Sequence, residues 1–341
     1  MGENDFSDEL KAYDKSNYKM FIDGFIEDIK KGYNQSVENE VSHIKKNINM
    51  RVICCGMGGS GIVADIMKTY LDDVDFVLEK VNSSKISGKL TESDFVIVSS
   101  YSGNTEEEIS CFKQARRAGC QIVVITSGGK LEIAANESRI PIIKLPKNYQ
   151  PRAILGYVFS TLLRILEEIG LITSRRDEVQ EAVSQLVRQK FDDFAKNLSE
   201  KIYGKIPLIY ASDRFYSVAY RWKTQINENA KNVAFCNKFS ELNHNETAGF
   251  QFKNGIFHVV IITTDSDNNR MKKRMQVQKD LLQKAEIDVT ELNVKGSLLA
   301  KIFAAVIAGD LTSYYLALRN RVDPEPVEAI ENFKNKLGPF V

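Results

Sequence analysis

The chain has 341 residues, longer than an average single domain, so two units with separate cores are the starting expectation. Its 46 lysines and arginines against 45 aspartates and glutamates leave a formal charge of +1, which excludes a global field that would draw in nucleic acid or an anionic membrane. Any anion site must be local.

Five cysteines, Cys54, Cys55, Cys111, Cys120 and Cys236, form no Cys-x-x-Cys pair and fit reduced thiols better than a disulfide framework. The three histidines, His43, His244 and His258, are isolated, which argues against a histidine-built metal centre. The apolar runs at Asp94–Ser100 and Ile256–Thr263 are too short to cross a bilayer and the first residues are polar, so a soluble cytoplasmic protein with no membrane partner is expected.

In chain order, the stretch from Ser7 to Lys46 spaces Tyr18, Phe21, Ile22, Phe25, Ile26 and Ile29 as a packing helix. From Arg51 short apolar strands alternate with helices: strand Arg51–Cys55, glycine turn Gly56–Gly61, helix Ile62–Leu71, then strands Phe76–Leu78, Phe95–Ser99 and Gln121–Thr126. That alternation builds a parallel sheet with helical crossovers.

A helical connector follows, apolar over Leu155–Ile169 and amphipathic over Arg175–Leu198. A second series begins at Ile206–Ala211, continuing with helix Ser217–Lys231, strands Val233–Phe235 and Phe257–Thr263, basic helix Asn269–Lys284 and strand Asp288–Leu292. Ser297–Leu318 is a long apolar helix, broken by Asp323-Pro324-Glu325-Pro326 before a last turn or two through Lys336. The expected division is a helical segment 1–46, an α/β domain 47–150, a connector 151–200, a second α/β domain 201–320 and a tail 321–341.

Two loops carry chemistry. Gly56-Met57-Gly58-Gly59-Ser60-Gly61 joins a strand to a helix, where unpaired amides and the helix dipole attract an anion. It lacks the lysine of a P-loop, and the following strand ends Leu78-Glu79-Lys80, ambiguous as the acidic strand end of a dinucleotide fold, so a dinucleotide is a minor alternative and a plain tight turn the bland one. Ser99-Ser100-Tyr101-Ser102-Gly103-Asn104-Thr105 sits in the same context and offers hydroxyls that donate to phosphate oxygens. Here the bland alternative is that Ser102 or Thr105 only caps the helix beginning Glu106-Glu107-Glu108.

Two loops of this form resemble the phosphosugar-binding loops of sugar isomerase (SIS) domains. The motifs Gln150-Pro151-Arg152, Glu228-Asn229-Ala230-Lys231 and Glu241-Leu242-Asn243-His244-Asn245-Glu246 occur in an order similar to that of the bifunctional phosphoglucose/phosphomannose isomerases, over roughly the whole chain. The resemblance implies two SIS domains, each a flavodoxin-like, three-layer αβα unit with a parallel sheet. It also implies a homodimer without metal or cofactor that interconverts glucose 6-phosphate, mannose 6-phosphate and fructose 6-phosphate.

The phosphosugar would be held by Gly59, Ser60, Ser100, Ser102, Thr105 and Arg152. Glu228, on its own a solvated helix charge, matches the carboxylate that moves a proton between C1 and C2. His244 and Lys334, with Lys336 as the alternative lysine, match the ring-opening groups, and Arg152 the cation beside the developing enediolate. Glu325 stands where related chains often carry a small hydroxyl.

The basic run Arg270–Arg274 has no interleaved aromatics and is a solvated helix face, so no nucleic-acid partner is expected. Three competing functions are a non-catalytic phosphosugar sensor, another SIS enzyme acting on aminosugars or glucose 6-phosphate alone, and a zinc-dependent mannose isomerase, for which the isolated histidines are a poor ligand set.

Overall fold

A computed structural model describes residues 11–47, 50–72, 74–252 and 255–338. The chain separates into two compact units, one of residues 24–177 and one of residues 178–338 together with the N-terminal segment up to Asp23.

Among the described residues, the single early helix predicted over Ser7–Lys46 is broken into short ones, α1 (Lys19–Asp23), α2 (Phe25–Tyr33) and α3 (Glu38–Val41), and residues before Lys11 lie outside the described residues. In the first unit the order continues with β1 (Arg51–Cys55), α4 (Gly58–Tyr70), β2 (Val77–Val81), β3 (Phe95–Ser99), α5 (Glu106–Arg117), β4 (Gln121–Thr126), α6 (Gly129–Glu137), β5 (Ile142–Lys144) and α7 (Leu155–Glu168). The sheet is wholly parallel with strand order β2-β1-β3-β4-β5. Every residue of β3 is buried, as a central strand covered by helices on both faces requires. Ile53, Val96, Val98, Phe112, Val124 and Leu131 form part of the core.

The second unit contains α8 (Arg176–Leu186), α9 (Asp192–Ile202), β6 (Ile206–Ala211), α10 (Tyr216–Ala230), β7 (Phe235–Lys238), α11 (Phe239–Leu242) and α12 (Glu246–Gly249). It ends with β8 (Phe257–Thr264), α13 (Asn269–Lys284), β9 (Asp288–Val294), α14 (Leu298–Arg319) and α15 (Glu328–Leu337). Its parallel sheet has order β7-β6-β8-β9, so the two units repeat one winding. In both, strand order reverses beside the first strand, and ligands of doubly wound sheets bind outside the strand C-termini at that reversal. The expected α/β architecture of two parallel-sheet units is what the structure shows.

Several boundaries differ from expectation. The amphipathic stretch Arg175–Leu198 is two helices, because the residues between Leu186 and Asp192 leave the helical path. The strand expected at Val233–Phe235 runs instead over Phe235–Lys238 at the sheet edge. The helix Leu298–Arg319 is, by length and composition, long and apolar enough to cross a membrane, contrary to the expectation that no apolar run was. Its most apolar stretch is 89% buried. It packs against α9 and α10, and the Trp222 indole N–H donates to the Ala305 carbonyl at 2.7 Å. That is the setting of a core helix.

Candidate active site

The helix after β1 begins at Gly58, not at Ile62, so Gly58–Gly61 form its first turn. Met57 is the N-cap residue, and its carbonyl accepts the Ser60 and Gly61 amides at 3.0 and 3.1 Å. The first amides of a helix have no partner inside it, which leaves this turn facing the mouth of the sheet with donors to offer.

Gly59 has a second reason to lack a side chain. A Cβ there would stand 2.5 Å from the Pro151 carbonyl oxygen and 2.8 Å from the Arg152 Cα. The bare backbone lets the 150–152 segment lie directly on the first turn of α4. Arg152, 3% exposed, is thereby brought to the loop, its Nη1 donating to Gln150 Oε1 at 3.4 Å.

The second loop is fixed from below. Ser100 N donates to the Ile125 carbonyl at 3.0 Å, and Ser100 Oγ donates to Thr105 Oγ1 at 3.3 Å. Gly103 takes φ +64° and packs so tightly on Gly128 that any side chain would collide with its carbonyl. Ser102 is exposed at the tip, its Oγ accepting the Asn104 amide at 3.3 Å. Tyr101 OH donates to the Pro146 carbonyl at 3.0 Å and accepts the Tyr149 amide at 2.8 Å, so the hydroxyl loop and the segment leading to Arg152 are tied together.

Thr105 is the N-cap residue of α5, yet its hydroxyl makes no cap hydrogen bond. The capping alternative for this loop is therefore not realised by the Thr105 hydroxyl. Within the first unit, the structure brings together Gly59, Ser60, Ser100, Ser102, Thr105 and Arg152 around the β1/β3 reversal.

At the corresponding reversal of the second sheet, between β6 and β8, Lys301 reaches the loop after β8 and donates to Asp265 Oδ1 at 2.8 Å and Ser266 Oγ at 2.9 Å. An internal cation occupies that mouth.

The remaining candidates lie in the second unit. Glu228, half-buried, is on the last turn of α10, a helix held to α14 by the Arg221–Asp310 ion pair at 2.6 Å. Lys231 closes that helix with φ +53°, and its Nζ donates to the carbonyls of Glu228, Asp323 and Pro324 at 2.8, 2.9 and 3.0 Å. Glu228 lines a cavity of about 740 Å³, whose opposite wall is Asp323, Pro326 and the first turn of α15.

Lys334 and Lys336 are on α15, a helix with no buried residue. Lys334 follows the cavity-lining Ile330 by one turn, and Lys336 shares a face with Ala329.

His244 is exposed between α11 and α12 and lines a different cavity of about 510 Å³, with Thr247, Phe250, Leu281 and Lys284. None of the residues lining it lines the Glu228 cavity, so a single unit does not unite Glu228 and His244. The His244 loop is nevertheless fixed in place. Glu246 accepts from Tyr210 OH at 2.6 Å and from Asn237 Nδ2 at 2.5 Å, pinning the loop to β6 and β7. Sequence reasoning missed this anchor, since Tyr210 is 36 positions from Glu246 and only the fold brings them together.

Among the described residues no three histidine, cysteine, aspartate or glutamate side chains gather in a way that could hold a metal ion. His258 is a core residue, 1% exposed, with Nε2 at 2.9 Å from Thr290 Oγ1.

Two family models match in tandem, the SIS domain over residues 46–163 and the bacterial phospho-glucose isomerase C-terminal SIS domain over residues 191–337. A bifunctional phosphoglucose/phosphomannose isomerase of Caldicellulosiruptor bescii is 36% identical over 327 residues, covering 92% of this chain and 96% of that protein. This chain belongs to the bifunctional phosphoglucose/phosphomannose isomerase family. As a family member it is a SIS-domain sugar-phosphate isomerase, with a phosphosugar as the ligand its SIS domains imply.

Another relative, the D-glucosamine-6-phosphate 4-epimerase of Sulfolobus acidocaldarius, is 33% identical over 241 residues, covering 69% of this chain and 75% of that one. Among solved structures, glucosamine-6-phosphate deaminase from Thermotoga maritima superposes with a TM-score of 0.67 at 15% identity, covering 90% of this chain and 96% of that one, which shows the shared fold.

Proposed function

We propose that this protein is a metal-independent aldose–ketose isomerase that interconverts glucose 6-phosphate and mannose 6-phosphate with fructose 6-phosphate through an enediol, in the cytoplasm and as a homodimer. The phosphate is assigned to the amides and hydroxyls of the two loops in the first unit, with Arg152 beside them. Glu228 takes the proton from C2 of the aldose and returns it at C1. His244 and Lys334 assist ring opening, and the Arg152 guanidinium offsets charge developing on the enediolate oxygens.

The observation that carries this reading is the position of Glu228. A carboxylate on the last turn of α10, lining a cavity large enough for a hexose phosphate and tethered by Lys231 to the segment opposite, has the access and the fixed geometry a base requires. Because His244 lines a separate cavity and is exposed, the homodimer has a chemical purpose: a second copy supplies the histidine to the Glu228 cavity.

The 4-epimerase relative favours a second reading, inversion at C4 of an aminosugar phosphate. Turnover of fructose 6-phosphate in D2O separates the two. The enediol route places deuterium at C2 of both glucose 6-phosphate and mannose 6-phosphate to the extent that the proton held by Glu228 exchanges with solvent, whereas products inverted at C4 would refute it.

A further inference from the structure

One buried acid beside the phosphate loops is left unexplained by the roles assigned above. Thr105-x-x-Glu108 has the spacing of a capping box, in which the carboxylate folds back onto the first amides of its own helix. Glu108 instead crosses to the other loop, where its Oε1 accepts the Met57 N–H at 2.6 Å. The residue is 2% exposed, and Oε2 has no hydrogen-bond partner.

Met57 is the N-cap of α4, so the Glu108 carboxyl fastens the loop after β1 to the helix that starts at the loop after β3. It also lies one residue from the α4 amides offered to the phosphate. The groups facing it are Glu107 on the same helix, Cys111 one turn further along, and Cys55 at the end of β1. The Cys55 thiol is held neutral, pushed up by its hydrogen bond with Cys111 and by burial, so no cation offsets a charge on Glu108 from these neighbours. Burial raises the Glu108 carboxyl above the usual range, against the lowering effect of its own amide, the Met57 amide and the nearby Thr105 hydroxyl, and Glu107 adds to the rise.

We propose that Glu108 is a positioning residue of the phosphosugar site, clasping the two loops together through Met57 and taking up one proton from solvent when the sugar phosphate enters. The proposal rests on the assignment of the phosphate to these loops. A phosphate dianion arriving at the adjacent amides makes a second buried negative charge costly, outweighing the Met57 amide, the Glu108 amide and the Thr105 hydroxyl that favour the anion, and Oε2, which has no hydrogen-bond partner, accepts the proton. Oε1 stays an acceptor for Met57, so the clasp persists in both protonation states.

The test is calorimetric titration of the full-length protein with sorbitol 6-phosphate, a polyol phosphate with no carbonyl to isomerise, in two buffers of different ionisation enthalpy at pH 7.5. The wild type is expected to take up a proton fraction that Glu108→Gln lacks, and the Gln variant, which keeps an acceptor for Met57, to bind ~3- to 30-fold tighter. Equal proton counts in the two proteins overturn the inference. Absence of binding by the wild type overturns instead the phosphosugar assignment beneath it. Should Glu108→Gln not fold, infrared difference spectra of the wild type decide: a protonated-carboxyl C=O stretch gained on ligand addition supports the proposal, and none overturns it.

Discussion

Gly59 and Pro151 meet so closely that one methyl group would force them apart, since a Cβ on Gly59 would lie 2.5 Å from the Pro151 carbonyl oxygen. Two effects of Gly59→Ala oppose each other. Alanine is the better helix former by ~1 kcal/mol, and the contact is with backbone, which cannot swing away as a side chain could. We expect the clash to win, with a net loss of about 1–2 kcal/mol. The melting temperature should fall and KM for the sugar phosphate should rise as Arg152 is displaced. A raised melting temperature with unchanged KM would show that the close approach has no role.

Glu228→Gln keeps the shape of the side chain and removes the base. Turnover should drop by ~10²- to 10⁴-fold while binding of sorbitol 6-phosphate is largely kept. The Lys231 bonds to the carbonyls of Glu228, Asp323 and Pro324 do not depend on the carboxylate and should persist in the variant. Wild-type turnover in this variant removes Glu228 from the mechanism.

If His244 reaches the Glu228 cavity from a second copy, two inactive variants can rescue each other. Mixing Glu228→Gln with His244→Ala under conditions that exchange subunits gives mixed dimers in which one site has lost both groups and the other has lost neither. Activity should return toward ~25% of wild type for random pairing of two-site dimers. No recovery, with exchange confirmed by mass, would mean that both groups act within one chain or that His244 does not act.

His258 makes folding sensitive to mild acid. Burial lowers its pKa to about 4, Lys205 and Lys201 add to the fall, and Asp288 opposes it. The unfolded histidine titrates near ~6.5, so between these values the unfolded chain binds the extra proton. The stability is therefore fully present above the unfolded value and is lost as pH falls toward the folded one, on the order of 3 kcal/mol in all. The Asp288 carboxylate is held low by Lys205, so its own loss comes at still lower pH. The urea midpoint should fall between pH 7 and pH 4.5 in the wild type and fall distinctly less in His258→Gln. Equal falls would assign the acid sensitivity elsewhere.

The strands that proved legible were those whose chemistry leaves no alternative. Arg51–Cys55, Phe95–Ser99, Gln121–Thr126 and Ile206–Ala211 are short apolar runs bounded by turns, buried from both faces of a parallel sheet. β5, with only Ile143 buried, gives no such run, and α6 opens on two glycines, so neither was read from the sequence.

At the site, the loops were legible because glycine and hydroxyl residues cluster after strands. The direction in which side chains turn was not. Thr105 and Glu108 have capping-box spacing and form no capping box, because a tertiary partner, Met57, competes for the carboxylate. The gap between Glu228 and His244 was also hidden, since their separation of 16 positions says nothing about which cavity each lines.

The proposed mechanism requires that one enediol serve both epimers without a metal. The most direct measurement is formation of fructose 6-phosphate from glucose 6-phosphate and from mannose 6-phosphate, each assayed with EDTA present. Turnover of both substrates, undiminished by the chelator, is the predicted result. Turnover of only one epimer, or activity abolished by EDTA and restored by zinc, would contradict it.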